Sequence, residues 1–184
     1  MTERQRRTEA AQQRELAALA DWTSPQLLGE IERPAWWMRV ITPGLGWRSA
    51  ADETQIANVA TRFGAPMPPD LADVYRQYDG LPVLQMLPLD HWQAVTALKP
   101  EIAAALRKRH AAVRAGAAAD ALDACVVIAG YHEDTQLRTT SLLWCPRNAP
   151  EQRYVDLVNT RDWPAFVDLL RLHVAQTRAA RSAE

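Results

Sequence analysis

The chain has 184 residues, of which 48% are hydrophobic and 23% charged, and its formal net charge at pH 7 is −1. This composition is typical of one globular domain and excludes a disordered chain, which would have fewer apolar residues and more net charge. No stretch approaches the ~20 apolar residues of a membrane span, and no apolar run follows the basic residues at the start. We therefore expect a cytoplasmic protein without a signal peptide or a membrane partner.

The charged residues are unevenly distributed along the chain. Residues 1–14 carry four Arg and two Glu, residues 99–114 carry five Lys or Arg and one Glu, and residues 171–184 carry three Arg and one Glu. The three segments together hold a charge of +8, which leaves −9 for the rest of the chain. An acidic body favours a basic partner, because complementary potentials speed encounter, although acidic surface also serves solubility.

Residues 1–23 are predicted to form a helical arm. Their Ala, Gln, Glu, Arg and Leu content favours a helix, but the apolar stripe is thin, so we expect the arm to be peripheral. Ser24-Pro25 then begins a short helix that Pro34 ends. An extended segment over residues 36–41 is expected to lead to a Pro43-Gly44 turn.

Three tryptophans flank this turn: Trp36, Trp37 and Trp47. Three indole rings can hardly all be buried beside one turn, and tryptophan is enriched at binding hot spots. They are therefore candidate partner-binding residues, and local packing over a sheet edge is the alternative interpretation.

Two consecutive helices are predicted next. Ser49 and Asp52 are spaced like a capping box, and an apolar stripe of helical period follows until Gly64, which is expected to adopt the left-handed cap. Pro68-Pro69 begins the second helix, and Asp79-Gly80 turns the chain after it. The apolar positions of the two helices are Ile56, Val59, Ala60 and Phe63, and Leu71, Val74, Tyr75 and Tyr78.

The segment from Gly64 to Gly80, GAPMPPDLADVYRQYDG, resembles the N-terminal signature of the SUKH superfamily of immunity and cell-wall-assembly-regulator-like proteins. In that superfamily an acid-containing helix ends in Gly, a Leu-Pro-type elbow follows, and a second helix runs into an Asn-Gly or Asp-Gly turn that opens a strand. The matching positions are Glu53, Gly64, Met67-Pro68, Leu71, Tyr75, Asp79 and Gly80. A weaker likeness covers the C-terminal third, where a helix with Trp163, Phe166, Val167 and Leu170 follows a strand.

The resemblance implies an α+β fold in which several helices flank a mainly antiparallel sheet. We expect one such domain over residues 24–184, with residues 99–124 as an Ala-rich helical insertion. Most members of the superfamily bind and neutralise a bacterial toxin, so the resemblance implies an immunity protein that occludes the active site of a cognate toxin in the cytoplasm. A basic nuclease-like effector is one candidate partner, and a regulatory scaffold that binds an endogenous partner is the alternative function.

The segment after the elbow is predicted to contain a strand and two helices. Val83 to Leu89 is typical of a strand at a sheet edge, and Asp90 is expected to cap a helix that holds Trp92. Pro100 begins the Ala-rich helix. The basic run Arg107-Lys108-Arg109 could contact phosphate, but it lacks interleaved aromatic residues, which favours a solvated helix face.

Three further strands and a final helix are predicted for the C-terminal half. Cys125 to Ala129, Thr139 to Cys145 and Gln152 to Leu157 alternate with polar loops, which favours an antiparallel meander. Asp162 is expected to cap the final helix, with Pro164 in its first turn.

The sequence contains no motif of a known enzyme class: GxSxG, HExxH, a P-loop and a complete GxGxxG are all absent. Cys125 and Cys145 form no CxxC, so we expect free buried thiols, and a Cys/His nucleophile is the less favoured alternative. We therefore predict a protein that is not an enzyme and that uses no cofactor, metal or nucleic acid.

The most polar cluster is Tyr131-His132-Glu133-Asp134, in an expected loop between two strands. An imidazole and two carboxylates could bind a metal or exchange protons, but adjacent residues of an extended loop cannot all converge on one ion. A solvated hairpin and partner recognition are the remaining interpretations. If the loop contacts a partner, His132, Glu133 and Asp134 are the candidate residues, together with Asp79 at another strand end.

Overall fold

The computed structural model describes residues 2–31, 49–81, 84–113, 122–133, 136–148 and 150–182. The predicted extended segment 36–41, the Pro43-Gly44 turn, the three tryptophans beside it and Asp134 lie outside these residues. The described residues form six α-helices and one five-stranded antiparallel sheet, which confirms the predicted α+β class. By their contacts the residues divide into two compact units, Met1–Arg33 with Phe166–Glu184, and Pro34–Ala165.

The helices and strands are numbered here in chain order. The helices are α1 (Glu3–Ala18), α2 (Ser24–Glu30), α3 (Glu53–Phe63), α4 (Pro69–Tyr75), α5 (Pro100–Val113) and α6 (Phe166–Arg181). The strands are β1 (Gln93–Ala94), β2 (Val126–Glu133), β3 (Gln136–Trp144), β4 (Tyr154–Asp156) and β5 (Arg161–Trp163). Short 3₁₀ turns occupy Leu89–His91, Val95–Ala97 and Pro150–Gln152. No helix among the described residues is both long and apolar enough to cross a bilayer.

Two arginines of α6 hold the unit built from α1, α2 and α6 together. The Arg171 guanidinium donates to the main-chain oxygens of Leu19 at 3.0 Å and Trp22 at 3.2 Å, where the chain leaves α1. Arg178 forms ion pairs with Glu15 at 3.6 Å and Glu30 at 3.0 Å. Both guanidinium groups are therefore engaged with backbone acceptors or carboxylates of the same unit, which gives the basic residues of the 171–184 segment a structural role.

Helix α3 begins later than predicted. Asp52 and Gln55 form the capping box: Gln55 N donates to Asp52 Oδ1 at 2.7 Å, and Asp52 N donates to Gln55 Oε1 at 2.8 Å. The predicted Ser49–Asp52 capping box is wrong, because the backbone of residues 49–51 hydrogen-bonds to the end of α4 and to the turn after it. Ala51 N donates to Tyr75 O at 2.9 Å, and Ser49 O accepts from Asp79 N at 3.3 Å.

The predicted cap of α3 at Gly64 is confirmed. Gly64 has φ 75° and ψ 13°, and its N–H donates to Ala60 O at 2.9 Å, which satisfies a carbonyl at the helix end. Pro69 begins α4 two residues after Met67, and the buried face of α4 carries Leu71 and Val74.

The sheet has the order β1-β2-β3-β4-β5, with every neighbouring pair antiparallel. Trp144, Tyr154 and Trp163 lie opposite one another across β3, β4 and β5, and all three are buried. The register of β2 against β3 shifts at three points between Val127 and His132, which are typical sites of β-bulges. The central hairpin is the longest pair in the sheet.

Residues 84–89 of the predicted strand from Val83 to Leu89 do not form a continuous strand. In this segment Met86 makes an isolated bridge to Ala129, and Gln85 has φ 54°. Met86 N donates back to Leu81 O at 3.0 Å, and two main-chain hydrogen bonds of 2.9 Å flank the bridge to β2, from Leu87 N to Ile128 O and from Gly130 N to Gln85 O. A positive φ at a residue other than glycine interrupts an extended ladder.

The predicted helix after Asp90 is also wrong. Two 3₁₀ turns replace it, on either side of the two-residue strand β1. Trp92 has ψ 138°, an extended value, and Val95 N donates to Cys125 O at 3.0 Å. Burial of Trp92 and pairing with the sheet therefore override the helical spacing of the sequence.

The C-terminal prediction missed β5. Asp162 lies within β5 and pairs with Val155, whereas it was expected to cap a helix that begins in fact at Phe166. Asp156 explains the difference, because its carboxylate accepts from the N–H groups of Val158 at 2.9 Å and Asn159 at 3.0 Å. This Asx-type turn sends the chain back along β4, and β4 is shorter than the predicted strand.

The prediction of free thiols is wrong, because Cys125 and Cys145 form a disulfide. They flank the paired residues Val126 and Trp144, so antiparallel pairing places them opposite each other with their Cα atoms 4.2 Å apart. The sequence separation of 20 residues belongs to no spacing motif, and only the strand register reveals the pair.

Gly80 and Gly64 provide a test of the elbow geometry. Both have positive φ, but a Cβ at Gly80 would lie 3.1 Å from Met86 O and 3.2 Å from Pro88 N, whereas a Cβ at Gly64 would meet open space. We expect Gly64→Ala to lower the free energy of unfolding by about 1 kcal/mol and Gly80→Ala by roughly 2–3 kcal/mol. Urea denaturation of both variants measures this difference, and equal losses would contradict the close packing of the turn.

Candidate partner-binding site

The elbow helix α4 is joined to the segment before β1 by a buried polar network. The Tyr75 hydroxyl donates to Leu87 O at 2.6 Å and accepts from the Trp92 indole N–H at 3.0 Å. The two rings meet edge to face with centroids 5.3 Å apart. Burial raises the pKa of Tyr75 well above its usual range, so the hydroxyl remains a proton donor.

Asp79 lies in the same region and is 7% exposed. Its Oδ1 accepts from Leu89 N at 2.8 Å, so the carboxylate fixes the loop that follows the Asp79-Gly80 turn. A carboxylate in this position offers little surface to a partner, because it is buried and satisfies a main-chain donor. Asp79 therefore has a defined structural role, and its predicted role in binding has no support from this geometry.

His132 and Glu133 belong to β2, and the prediction that they lie in a loop is wrong. His132 pairs with Leu137 and Glu133 with Gln136, so β2 and β3 continue to the hairpin connection. Pairing of Tyr131 with Thr139 prolongs the ladder, since both residue types favour strands and the backbone groups need partners. Of the predicted cluster, Glu133 is the residue that lies next to the hairpin connection.

The site residues predicted from sequence are thus found in different settings. Asp79 is engaged with Leu89, whereas His132 and Glu133 occupy the end of the β2–β3 hairpin. Asp134 and the three tryptophans lie outside the described residues, so their roles stay predictions. Of the predicted site, the structure therefore describes the backbone position of His132 and Glu133 at the hairpin end and the contacts of Asp79.

An ion-pair cluster on the surface of the elbow escaped the sequence analysis. Arg76 donates to Glu53 Oε1 at 2.7 Å and to Asp73 Oδ1 at 2.9 Å, which links the start of α3 to the end of α4. The hydrogen bond from Arg76 lowers the pKa of Glu53. Glu53 and Arg76 are 23 positions apart, so neither helix alone could reveal the pair.

The basic run of α5 combines exposure with contacts inside the protein. Arg107 pairs with Asp123 at 2.7 Å, and the Arg109 guanidinium donates to Leu157 O at 2.8 Å and to Thr140 O at 3.4 Å. Lys108 and Arg109 are exposed, as expected of a solvated helix face. Two of the three cations are nevertheless engaged in contacts within the protein.

The described residues contain no group of three or more His, Cys, Asp or Glu side chains that could hold a metal ion. Both cysteines of the chain are in the disulfide, so neither is a thiolate nucleophile in this state. His173 lies on α6, where burial lowers its pKa.

No protein-family model, curated protein or solved structure matches the chain. The likeness to the SUKH superfamily therefore rests on the residues of the elbow and of the final helix alone.

Asp79 gives the test that separates a structural role from a binding role. We expect Asp79→Ala to cost about 1–3 kcal/mol of stability, because Leu89 N loses its buried acceptor. Asp79→Asn keeps an acceptor oxygen, so its free energy of unfolding should stay within about 1 kcal/mol of the wild type. Chemical denaturation measures both, and a fully stable Asp79→Ala variant would overturn the structural assignment.

Proposed function

We propose that the protein is an immunity protein that binds a cognate bacterial toxin and neutralises it by covering its active site. The observation that carries this proposal is the elbow of α3 and α4. The positions that resemble the SUKH signature have concrete roles here: Gly64 is the left-handed cap, Tyr75 bonds the segment before β1, and Gly80 allows a close turn. Such a framework suits a protein whose task is to hold a recognition surface.

A binding function accounts for how the polar groups are used. The polar atoms of Tyr75, Asp79 and Asp156 form hydrogen bonds with backbone groups or neighbouring side chains. Catalysis needs a nucleophile, acid or base that is held within reach of a substrate. Tyr75, Asp79 and Asp156 instead stabilise loops. Recognition of a partner by surface side chains needs no nucleophile, acid or base.

The distribution of charge supports a basic partner. Arg109, Arg171 and Arg178 are engaged within the protein, which leaves less positive charge for a polyanion. Acidic side chains such as Asp90 and Glu101 are exposed. A nuclease-like toxin that binds phosphates with Lys and Arg would meet complementary charge on this protein, and the encounter would be fast at low ionic strength.

In this proposal the toxin binds at the end of the β2–β3 hairpin, and binding takes place in the cytoplasm. Glu133 and Asp134 would compete there with the phosphates of the toxin's substrate, so binding and inhibition would be one event. The endogenous scaffold function uses the same framework with a different partner. A neighbouring gene for a large secreted polypeptide that ends in a small toxin-like domain would support the immunity function, and a housekeeping operon would support the scaffold.

A charge reversal at the hairpin end tests the proposed surface. We expect the Glu133→Lys, Asp134→Lys double variant to lose about 2 kcal/mol of binding free energy, roughly 30-fold in Kd, toward the proposed cognate toxin. Isothermal titration provides the measurement, with circular dichroism as the check on folding.

Glu151→Lys is the matched control. Glu151 is exposed in the 3₁₀ turn between β3 and β4, at the other end of β3 from the hairpin connection. The control should bind like the wild type apart from a small change in salt dependence. Unchanged affinity of the double variant, or an equal loss in the control, would remove the hairpin end from the interface.

A further inference from the structure

The disulfide lies at the base of the central hairpin, at the opposite end from its connection. Cys125 directly precedes β2 and Cys145 directly follows β3. The same two residues join the outer strands to the hairpin: Val95 N donates to Cys125 O at 3.0 Å, and Cys145 N donates to Arg153 O at 2.8 Å. The bond therefore lies where the segments of β1 and β4 both meet the hairpin.

Both cysteines are almost completely inaccessible, with exposed fractions of 0% for Cys125 and 1% for Cys145. A disulfide is cleaved or formed by in-line attack of a thiolate on sulfur, so an attacking reagent needs access to the bond. In the folded protein that access requires local opening of the sheet beside Cys125 or Cys145. The redox state of the pair is thus coupled to opening of the fold.

We propose that Cys125 and Cys145 form a redox-responsive crosslink that fixes the base of the hairpin under oxidising conditions and keeps its state while the protein stays folded. The proposal rests on the cytoplasmic part of the proposed function, because disulfides in that compartment are typically transient or redox-sensing. These are the two cysteines of the chain, so no third thiol can rearrange the bond within one molecule.

The oxidant is a small disulfide of the glutathione class. The thiolate of one cysteine attacks a sulfur of glutathione disulfide, which forms a mixed disulfide and releases one glutathione thiolate. The second cysteine, as its thiolate, attacks the protein sulfur of the mixed disulfide and releases the second glutathione. The net reaction oxidises two protein thiols to one cystine and reduces one glutathione disulfide to two glutathione molecules.

The crosslink acts on stability and on the rate of redox exchange. It closes a loop between residues 20 positions apart, so the oxidised chain loses less conformational entropy on folding than the reduced chain. Because both cysteines are buried and their main-chain groups bond Val95 and Arg153, folding also protects the disulfide. An oxidised molecule would therefore keep its crosslink in a reducing solution for as long as it does not open.

Thiol trapping on the purified full-length protein tests both effects. Protein oxidised with glutathione disulfide is treated with dithiothreitol in native buffer or in denaturant, then quenched with iodoacetamide and weighed by mass spectrometry. We expect reduction in native buffer to be slower by about two orders of magnitude or more than in denaturant. Urea unfolding should show a lower midpoint for the reduced protein than for the oxidised protein.

The Cys125→Ala, Cys145→Ala variant is the control, and its unfolding midpoint should not respond to dithiothreitol. If that variant does not fold, the reduced and oxidised wild type carry the comparison alone. Equal reduction rates in native buffer and denaturant, equal midpoints for the two redox states, or two free thiols after treatment with glutathione disulfide would each overturn the proposal. These measurements use no toxin, so lack of toxin binding would defeat the proposed function and leave the crosslink standing.

Discussion

The hydrogen bonds of the Tyr75 hydroxyl are the constraint on which the larger unit depends. A buried hydroxyl must be satisfied, and this one reaches Leu87 O and the Trp92 indole across 12 and 17 positions of sequence. Trp92 in turn lies 6.0 Å from Trp144 of β3, measured between ring centroids. Helix α4, the segment before β1 and the central strand are therefore positioned by one set of contacts.

Local signals in the sequence predicted part of the fold, and contacts between distant segments determine the rest. The α3–α4 elbow was predictable, because helical spacing and the Gly64 cap are local signals. The curl before β1 was not, since Leu81, Gln85 and Ala129 determine it through contacts between distant segments. Strand β5 depends on the turn that Asp156 closes, and this turn became visible only with the backbone geometry.

The candidate site shows the same division. Asp79 was predicted to contact a partner from the end of a strand, and its carboxylate accepts from Leu89 N. Sequence could identify an acidic residue at a turn, but not the donor that would bury it. His132 and Glu133 were predicted in a loop, whereas their place in β2 required the β2–β3 register.

Together these features describe a framework that is stabilised from within. Arginines satisfy carbonyl oxygens and carboxylates, the tyrosine and tryptophan secure the elbow, and the disulfide closes the base of the hairpin. A rigid support limits the entropy that a binding surface loses on association, which is the physical advantage of such a framework for the proposed binding function. The proposed surface lies at the hairpin end, away from the crosslinked base.

The central claim is that the Tyr75–Trp92 hydrogen bond couples the elbow to the sheet. A double-mutant cycle with Tyr75→Phe and Trp92→Phe measures it directly, because the cycle subtracts the packing and the other hydrogen bonds that each substitution loses on its own and leaves the contact between the two side chains. We predict a coupling free energy of about 0.5–1.5 kcal/mol from urea denaturation of the four proteins. Additive effects of the two substitutions, with a coupling indistinguishable from zero, would contradict the account.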